Sequence, residues 1–359
     1  MNMTHALLLL AFTSNAVAQN APDPFARHVD AVGPGVHLIY KSKSSADAPF
    51  DGNVVAIEQN DQLVIVDAGG APRSGENIVA AIRSISAKPV RWLIYTHYHG
   101  DHNLGAGALL KAWPDLHIVS TQATRRNMTG APMDYIKTYD TGNQGTIDYA
   151  REQLTRTDLS DSMRKGWQHL VDAGPAMVDA YKNMKAYPAD VTFGTSMTLD
   201  DASAPVEVSF FGNANTDGDA IVWLPRQRIV ITGDTVVWPL PYASASYPSS
   251  WIEVLKKIDA LDFATLIPGH GDVQTDHAYV RALVDTLTKI RDRVATLANG
   301  DVSVADVQKR LDTKDIVRTY AGDDEFAVFL LRAFFLHSIV ENAYKEAKGQ
   351  PIVQGRDGG

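Results

Sequence analysis

The sequence predicts a mixed α/β fold interrupted by one helical insertion and followed by a helical extension. Three observations carry that prediction. Apolar runs of strand length alternate with helix-spaced segments from Val36 to Val119, and strand-length runs resume between Thr198 and Ile267. A polar stretch with helical spacing, from about 132 to 187, separates the two blocks. From 276 to 348 the apolar residues recur only at helical intervals.

Taken in order, Val36 to Tyr40, Asn53 to Gln59 and Gln62 to Asp67 read as strands, the last two joined by a polar Asn60-Asp61 turn. Ser74 to Ser84 carries Ile78, Val79 and Ile82 on one helical face and leads into a strand over Val90 to Tyr95. A loop follows, then a helix over Leu104 to Trp113 and a short strand at Ile118-Val119. The insertion has helical runs at Ile147 to Thr155 and Asp161 to Lys185. Strands resume at Thr198, Val206 to Phe211, Ala220 to Leu224 and Arg228 to Thr232, with a Pro225-Arg226-Gln227 turn between the last pair. Ser250-Trp251-Ile252-Glu253 has the form of a capping box opening a helix. Helical stripes cover Asp276 to Ala298, Val302 to Leu311 and Glu325 to Lys348, and a polar, Gly-rich tail from Gln354 to Gly359 is expected to fray.

The chemistry sits in THYHGDHNLGAG, residues 96 to 107, where His97, His99, Asp101 and His102 fall within six positions. Alternate residues of an extended segment point the same way, so His97 and His99 converge on one ion while Asp101 and His102, entering the turn, face a second. Four ligand-type side chains so close together form a metal site, and the spacing implies two adjacent positions.

This HxHxDH pattern after a strand resembles the metallo-β-lactamase superfamily, over about residues 30 to 275. The resemblance implies an αββα sandwich, two mixed sheets with helices outside and the metal site at one edge between them. It also implies that Asp234, in Gly233-Asp234, bridges the metals and that His270, in Pro268-Gly269-His270-Gly271, completes the second site. Asp67, closing a strand in LVIVDAGGAP, matches a position that supports the histidine loop through hydrogen bonds. By turn chemistry alone, Asp67 equally suits the opening of a Gly-rich turn.

The chain departs from the family pattern at Asn215, which stands where a third first-site histidine is expected. An Asn carbonyl oxygen is a weaker, harder donor than imidazole and brings no charge, so the second site is expected to bind metal more tightly. One or two zinc ions per chain follow, and iron suits the same donors.

Residues 1 to 18, MNMTHALLLLAFTSNAVA, have the outline of an export signal cleaved after Ala18, which predicts a periplasmic or secreted protein. No other segment reads as long and apolar enough for a membrane helix. The chain has no cysteine, which excludes disulfides and thiolate ligands. Its formal charge of -9 and the lack of a long basic run make nucleic acid an unexpected partner.

These features predict a zinc-dependent hydrolase in which Asp101 orients a metal-bound hydroxide toward a small ester, lactone or amide, a β-lactam ring included. Trp238, Tyr242 and Tyr247, in the loop after Asp234, either line a substrate pocket or pack under the next helix. The insertion, between the first and second ligand groups, forms a lid or a wall. The alternative is a non-catalytic metal-binding or sensing protein, disabled at Asn215.

Overall fold

The computed structural model describes residues 23–41, 51–182 and 184–355. The expected leader, residues 1 to 18, and the last four residues of the expected tail lie outside them. Among the described residues, twelve strands run in chain order as β1 (His28–Gly33), β2 (Val36–Tyr40), β3 (Val54–Glu58), β4 (Leu63–Val66), β5 (Val90–Ile94), β6 (His117–Thr121), β7 (Val191–Phe193), β8 (Ser196–Leu199), β9 (Val206–Phe210), β10 (Ala220–Leu224), β11 (Ile229–Ile231) and β12 (Thr265–Ile267). One sheet has the order β1-β2-β3-β4-β5-β6-β7 and the other β12-β11-β10-β9-β8. In the first, β1 to β4 pair antiparallel and β4 to β7 parallel; in the second, only β11 and β12 are parallel.

The helices are α1 (Pro72–Ile85), α2 (Ala106–Ala112), α3 (Gln122–Met128), α4 (Tyr139–Leu154), α5 (Asp161–Ala180), α6 (Pro248–Asp259), α7 (Ala278–Leu297), α8 (Val304–Arg310), α9 (Lys314–Tyr320), α10 (Glu325–Leu331) and α11 (His337–Ala347). Strand alternation sorts side chains into three layers of core. Val55, Ile57, Val64 and Val66 meet Val206, Val208, Val222 and Ile231 between the sheets. Val54, Ala56, Leu63 and Ile65 point the other way, onto Ile78 and Ile82 of α1. On the far side Ile221, Val230 and Leu266 pack against Trp251 and Leu255 of α6 and Leu283 and Leu287 of α7. This is the αββα sandwich. Because both faces of the central strands are covered, β4 is buried at all four residues and reads as an unbroken apolar run.

Four sequence expectations are corrected. First, β1 pairs with β2 but was not predicted, because it is a short edge strand whose first four residues, His28–Ala31, are all exposed, so its pattern is not shaped by a buried face. Second, α6 begins at Pro248 with Tyr247 as its N-cap and no side-chain cap bond, so Ser250-Trp251-Ile252-Glu253 is not a capping box. Pro248, with φ preset for the first helical position, starts the helix instead. Third, α4 begins at Tyr139, ahead of the apolar spacing at Ile147, because its first turns are largely solvent-facing.

Last, a five-residue π-turn (Arg332–Leu336) joins α10 and α11 into one helix, Glu325–Ala347, that is long and apolar enough by length and composition to cross a membrane. Half of its apolar window is buried, with Leu331, Phe335, Ile339 and Val340 in the core shared with α6 and α7. Gln354, expected in the frayed tail, donates from Nε2 to Ala245 O at 2.8 Å.

Candidate metal centre and substrate cavity

The segments that carry these His and Asp side chains all leave the C-terminal ends of parallel strands. Thr96–His102 follows β5, Asp234 follows β11 and His270 follows β12, so three distant stretches meet at one edge of the sandwich. A short 3-10 turn at Gly100–His102 carries Asp101 and His102 out of the extended segment. Its start is bonded to the insertion, since Gly100 N donates to the Tyr135 hydroxyl at 2.8 Å.

The donor atoms converge. His97 Nε2 and His99 Nδ1 are 3.0 Å apart, and His102 Nε2 and His270 Nε2 are 3.2 Å apart. His270 Nε2 lies 2.9 Å from Asp101 Oδ2, and His102 Nε2 lies 3.1 Å from Asp234 Oδ1. The other oxygen of Asp234 faces the first pair, at 3.8 Å from His97 Nε2. Two groups result, Asp101, His102, Asp234 and His270, and His97, His99 and Asp234, each with its donor atoms within 4.8 Å of one another. Imidazole nitrogens and carboxylate oxygens directed at common points, in a buried site, fit a pair of metal ions sharing Asp234. Buried His99 Nε2 and His270 Nδ1 have no hydrogen-bond partner among the described residues, so the ring edges turned toward the common points carry the polar contacts.

Asp67 occupies the step between β4 and α1 with a positive φ of 61°, a conformation that costs a non-glycine residue energy. Its Oδ1 accepts from Thr96 N at 2.8 Å, and its Oδ2 accepts from Thr96 Oγ1 at 2.8 Å and lies 2.8 Å from His102 Nδ1. His102 therefore presents Nε2 to the metal centre. Behind the same ring stands Gly52, where a Cβ would come within 2.5 Å of His102 Cε1. Asn53 reaches the other ligand turn, donating from Nδ2 to Pro268 O and Gly271 O at 3.0 Å each. Sequence reasoning missed the roles of both residues, since neither Gly52 nor an Asn opening a strand carries a local signal of support for distant side chains.

Electrostatics separate the two groups. Burial pushes His97 well below the ordinary imidazole range, and burial likewise lowers His99. Burial works the same way on His102 and His270, but the carboxylates of Asp234 and Asp101 outweigh it and raise both. Burial would raise Asp101 and Asp234 in turn, yet the neighbouring imidazoles hold both down.

Asn215 is fully buried, and neither its Oδ1 nor its Nδ2 has a hydrogen-bond partner among the described residues. Nearby Asp219 accepts from Thr216 N at 2.7 Å, and burial pushes it up to about 7.

A cavity of about 480 Å³ opens over the centre, with His99, Asp101, Asp234 and His270 at its floor. The insertion forms one wall, through Asn143, Tyr149 and Trp167, and the C-terminal helices form another, through Phe326, Phe329 and Phe334. These walls touch: Trp167 meets Phe326 and Phe329 edge-on at ring-centroid distances of 5.4 and 4.9 Å. Among the described residues no Lys or Arg lines the cavity, and its charged side chains are Asp101 and Asp234. Trp238 and Tyr242 line it too, Tyr242 edge-on to His99 at 6.0 Å. Tyr247 does not; it caps α6 and receives a bond from Gln354 Nε2 at 3.3 Å. The wall aromatics were not legible as such, because in sequence they fit the same helical stripes as core residues.

A family model described as "Metallo-beta-lactamase superfamily" matches residues 47–179. The chain is 26% identical over 269 residues to a linear primary-alkylsulfatase of Pseudomonas sp. (strain ATCC 19151), covering 73% of this chain and 48% of that protein. It thus spans about half the length of that curated relative. Among solved structures, it is similar to the metallo-β-lactamase FIM-1 from Pseudomonas aeruginosa in the mono-zinc form, at 15% identity over 75% of this chain and 97% of that one, with a TM-score of 0.51. A metallo-β-lactamase from Pontibacter korlensis gives 17% identity, 73% and 99% coverage and a TM-score of 0.50. At these identities the solved structures speak for the fold alone.

Proposed function

From the match of residues 47–179 to the metallo-β-lactamase superfamily model and the αββα sandwich, we propose that the chain is a member of that superfamily and an exported, zinc-dependent hydrolase of an ester carrying an extended apolar group. The observation that carries the proposal is the placement of both ligand groups, joined through Asp234, at the floor of an aromatic-walled cavity. Zinc held there would supply an activated water at neutral pH and Lewis acidity toward the scissile group.

The chain's own residues supply the rest. His97, His99 and Asp234 would hold one ion, and Asp101, His102, His270 and Asp234 the other. Asp67 keeps His102 turned toward the centre by its 2.8 Å contact with Nδ1. Asp101, whose side chain is 18% exposed, is the ligand most open to the cavity and orients the attacking water. The apolar walls take the substrate's hydrocarbon part out of water, which favours longer chains.

The name of the Pseudomonas relative supports an alkyl sulfate as one such ester. With no Lys or Arg in the lining, a sulfate head would have only the metal ions as positive charge, which favours a neutral carboxylic ester.

The test is turnover of p-nitrophenyl esters from acetate to decanoate, n-alkyl sulfates and a chromogenic lactam, with zinc content measured by elemental analysis. A kcat/KM that rises by up to about fourfold per methylene, and vanishes with a chelator, is the expected result. One or two zinc ions per chain without turnover of any substrate would overturn the proposal in favour of a metal-binding protein.

A further inference from the structure

The loop Val236–Tyr247 leaves the Asp234 turn and delivers Trp238, Leu240 and Tyr242 to the cavity before α6 begins. Its second half is held by residues roughly a hundred positions later in the chain, nearly all through main-chain groups. Ala243 N donates to Phe334 O at 2.8 Å. Asn342 Nδ2 donates to Ser244 O at 2.5 Å and to Ser246 Oγ at 3.3 Å. Gln354 Nε2 donates to Ala245 O at 2.8 Å. Every residue from Ala243 to Ser246 is therefore bonded to the C-terminal extension or to Gln354 just beyond it.

Two features show that these bonds are built in. Phe334 lies in the π-turn between α10 and α11, where N–H groups reach back five residues and the altered ladder leaves a carbonyl able to serve another partner. Asn342 is 1% exposed, and Ser244 and Ser246 are also buried, so losing the amide would strand buried polar groups away from water. At the far end Tyr247 N donates to Ala214 O at 2.8 Å, beside Asn215. The loop is thus tied to the metal edge of the sandwich on one side and to the extension on the other.

We propose that the C-terminal extension is a positioning element of the active site, with Asn342 acting through residues 243–246 to hold Tyr242 edge-on to His99 and so set the shape of the cavity above the metals. Asn342 touches none of the ligands and is a positioning residue. Its kinetic consequence rests on the hydrolase reading; its structural consequence does not.

The test compares zinc-loaded wild type with Asn342→Leu, which keeps the volume but lacks the donor, and Asn342→Gln, which keeps the amide. Amide hydrogen exchange over 243–247 is expected to rise by about tenfold or more in Asn342→Leu, while 97–102 stays as protected as in wild type and zinc content is unchanged. With the best ester, kcat/KM falls by about tenfold, mainly through KM, and Asn342→Gln recovers part of it. In a Tyr242→Ala background the Asn342→Leu effect disappears, because the residue acts through Tyr242.

Unchanged exchange over 243–247, exchange rising equally over 97–102, or effects that multiply in the double variant would each overturn the proposal. If Asn342→Leu does not fold, Gln354→Ala, at the half-buried end of the same clasp, is expected to give the same pattern at smaller amplitude. If wild type hydrolyses none of the esters, the exchange comparison still decides the positioning role, and only the hydrolase reading falls.

Discussion

Asp67 and His102 are joined by a 2.8 Å contact between Oδ2 and Nδ1, in a site where both side chains are buried. The contact sets which imidazole nitrogen faces the metals, and it is made by a residue held at a positive φ. Asp67→Ala is expected to weaken zinc binding at the Asp101, His102, Asp234 and His270 group by about 10- to 100-fold. Competition against a chromophoric chelator measures this. An unchanged affinity would mean that His102 needs no external support.

Asn215 is enclosed, with no polar partner for its amide among the described residues. Asn215→His is expected to tighten the weaker of two zinc affinities and leave the tighter one in place, because imidazole is the better zinc donor. His270→Ala removes a donor from the Asp101, His102, Asp234 and His270 group and is expected to abolish turnover. Full activity in that variant would show that the assigned second site is wrong.

Gly52 lies against His102 so closely that a methyl group at Cα would sit 2.5 Å from Cε1 and 2.7 Å from Nδ1. Gly52→Ala must displace the imidazole or the strand behind it. The expected cost is about 1–3 kcal/mol of stability, with a parallel loss of zinc affinity. Urea unfolding and zinc titration on the same preparation read the two effects, and a variant equal to wild type in both would show that the backbone at 52 yields freely.

Asp219, four residues after Asn215, is a buried carboxyl that makes the stability of the metal-free protein depend on pH. Burial raises its carboxyl from 3.8 in the unfolded chain to about 7. The native state therefore holds the extra proton between those values, and the stability it contributes is complete below about pH 4 and is lost as pH rises through 7. Asp219→Asn stays neutral throughout, so its stability relative to wild type should climb from pH 4 to pH 8 by on the order of 4 kcal/mol. Urea unfolding of chelator-treated protein across that range provides the measurement; parallel pH profiles would count against a raised carboxyl.

Much of the centre was legible before the fold was known, and the reason is local. His97, His99, Asp101 and His102 sit on one strand-to-turn segment, where period-two geometry alone makes alternate side chains converge. Asp234 and His270 needed a family resemblance, because each is a single ligand in an ordinary turn. Asn53 and Gly52 could not be found at all: their work is done across the fold, by an amide reaching Pro268 and Gly271 and by the lack of a side chain behind His102. Among the loop aromatics the sequence left two readings open. Packing divides them, with Trp238 and Tyr242 in the cavity and Tyr247 at the cap of α6.

By itself the sequence determined the ligand types, the layered α/β order and the presence of two added helical segments, since donor chemistry and apolar periodicity are properties of short stretches of chain. Only the tertiary structure decided that Asn53 ties the turn bearing His270, that the insertion and the extension meet through Trp167, Phe326 and Phe329, and that the extension clasps the loop bearing Tyr242. An apolar residue on a helical stripe has the same pattern whether it faces a core or a cavity, and which it faces depends on the element packed opposite.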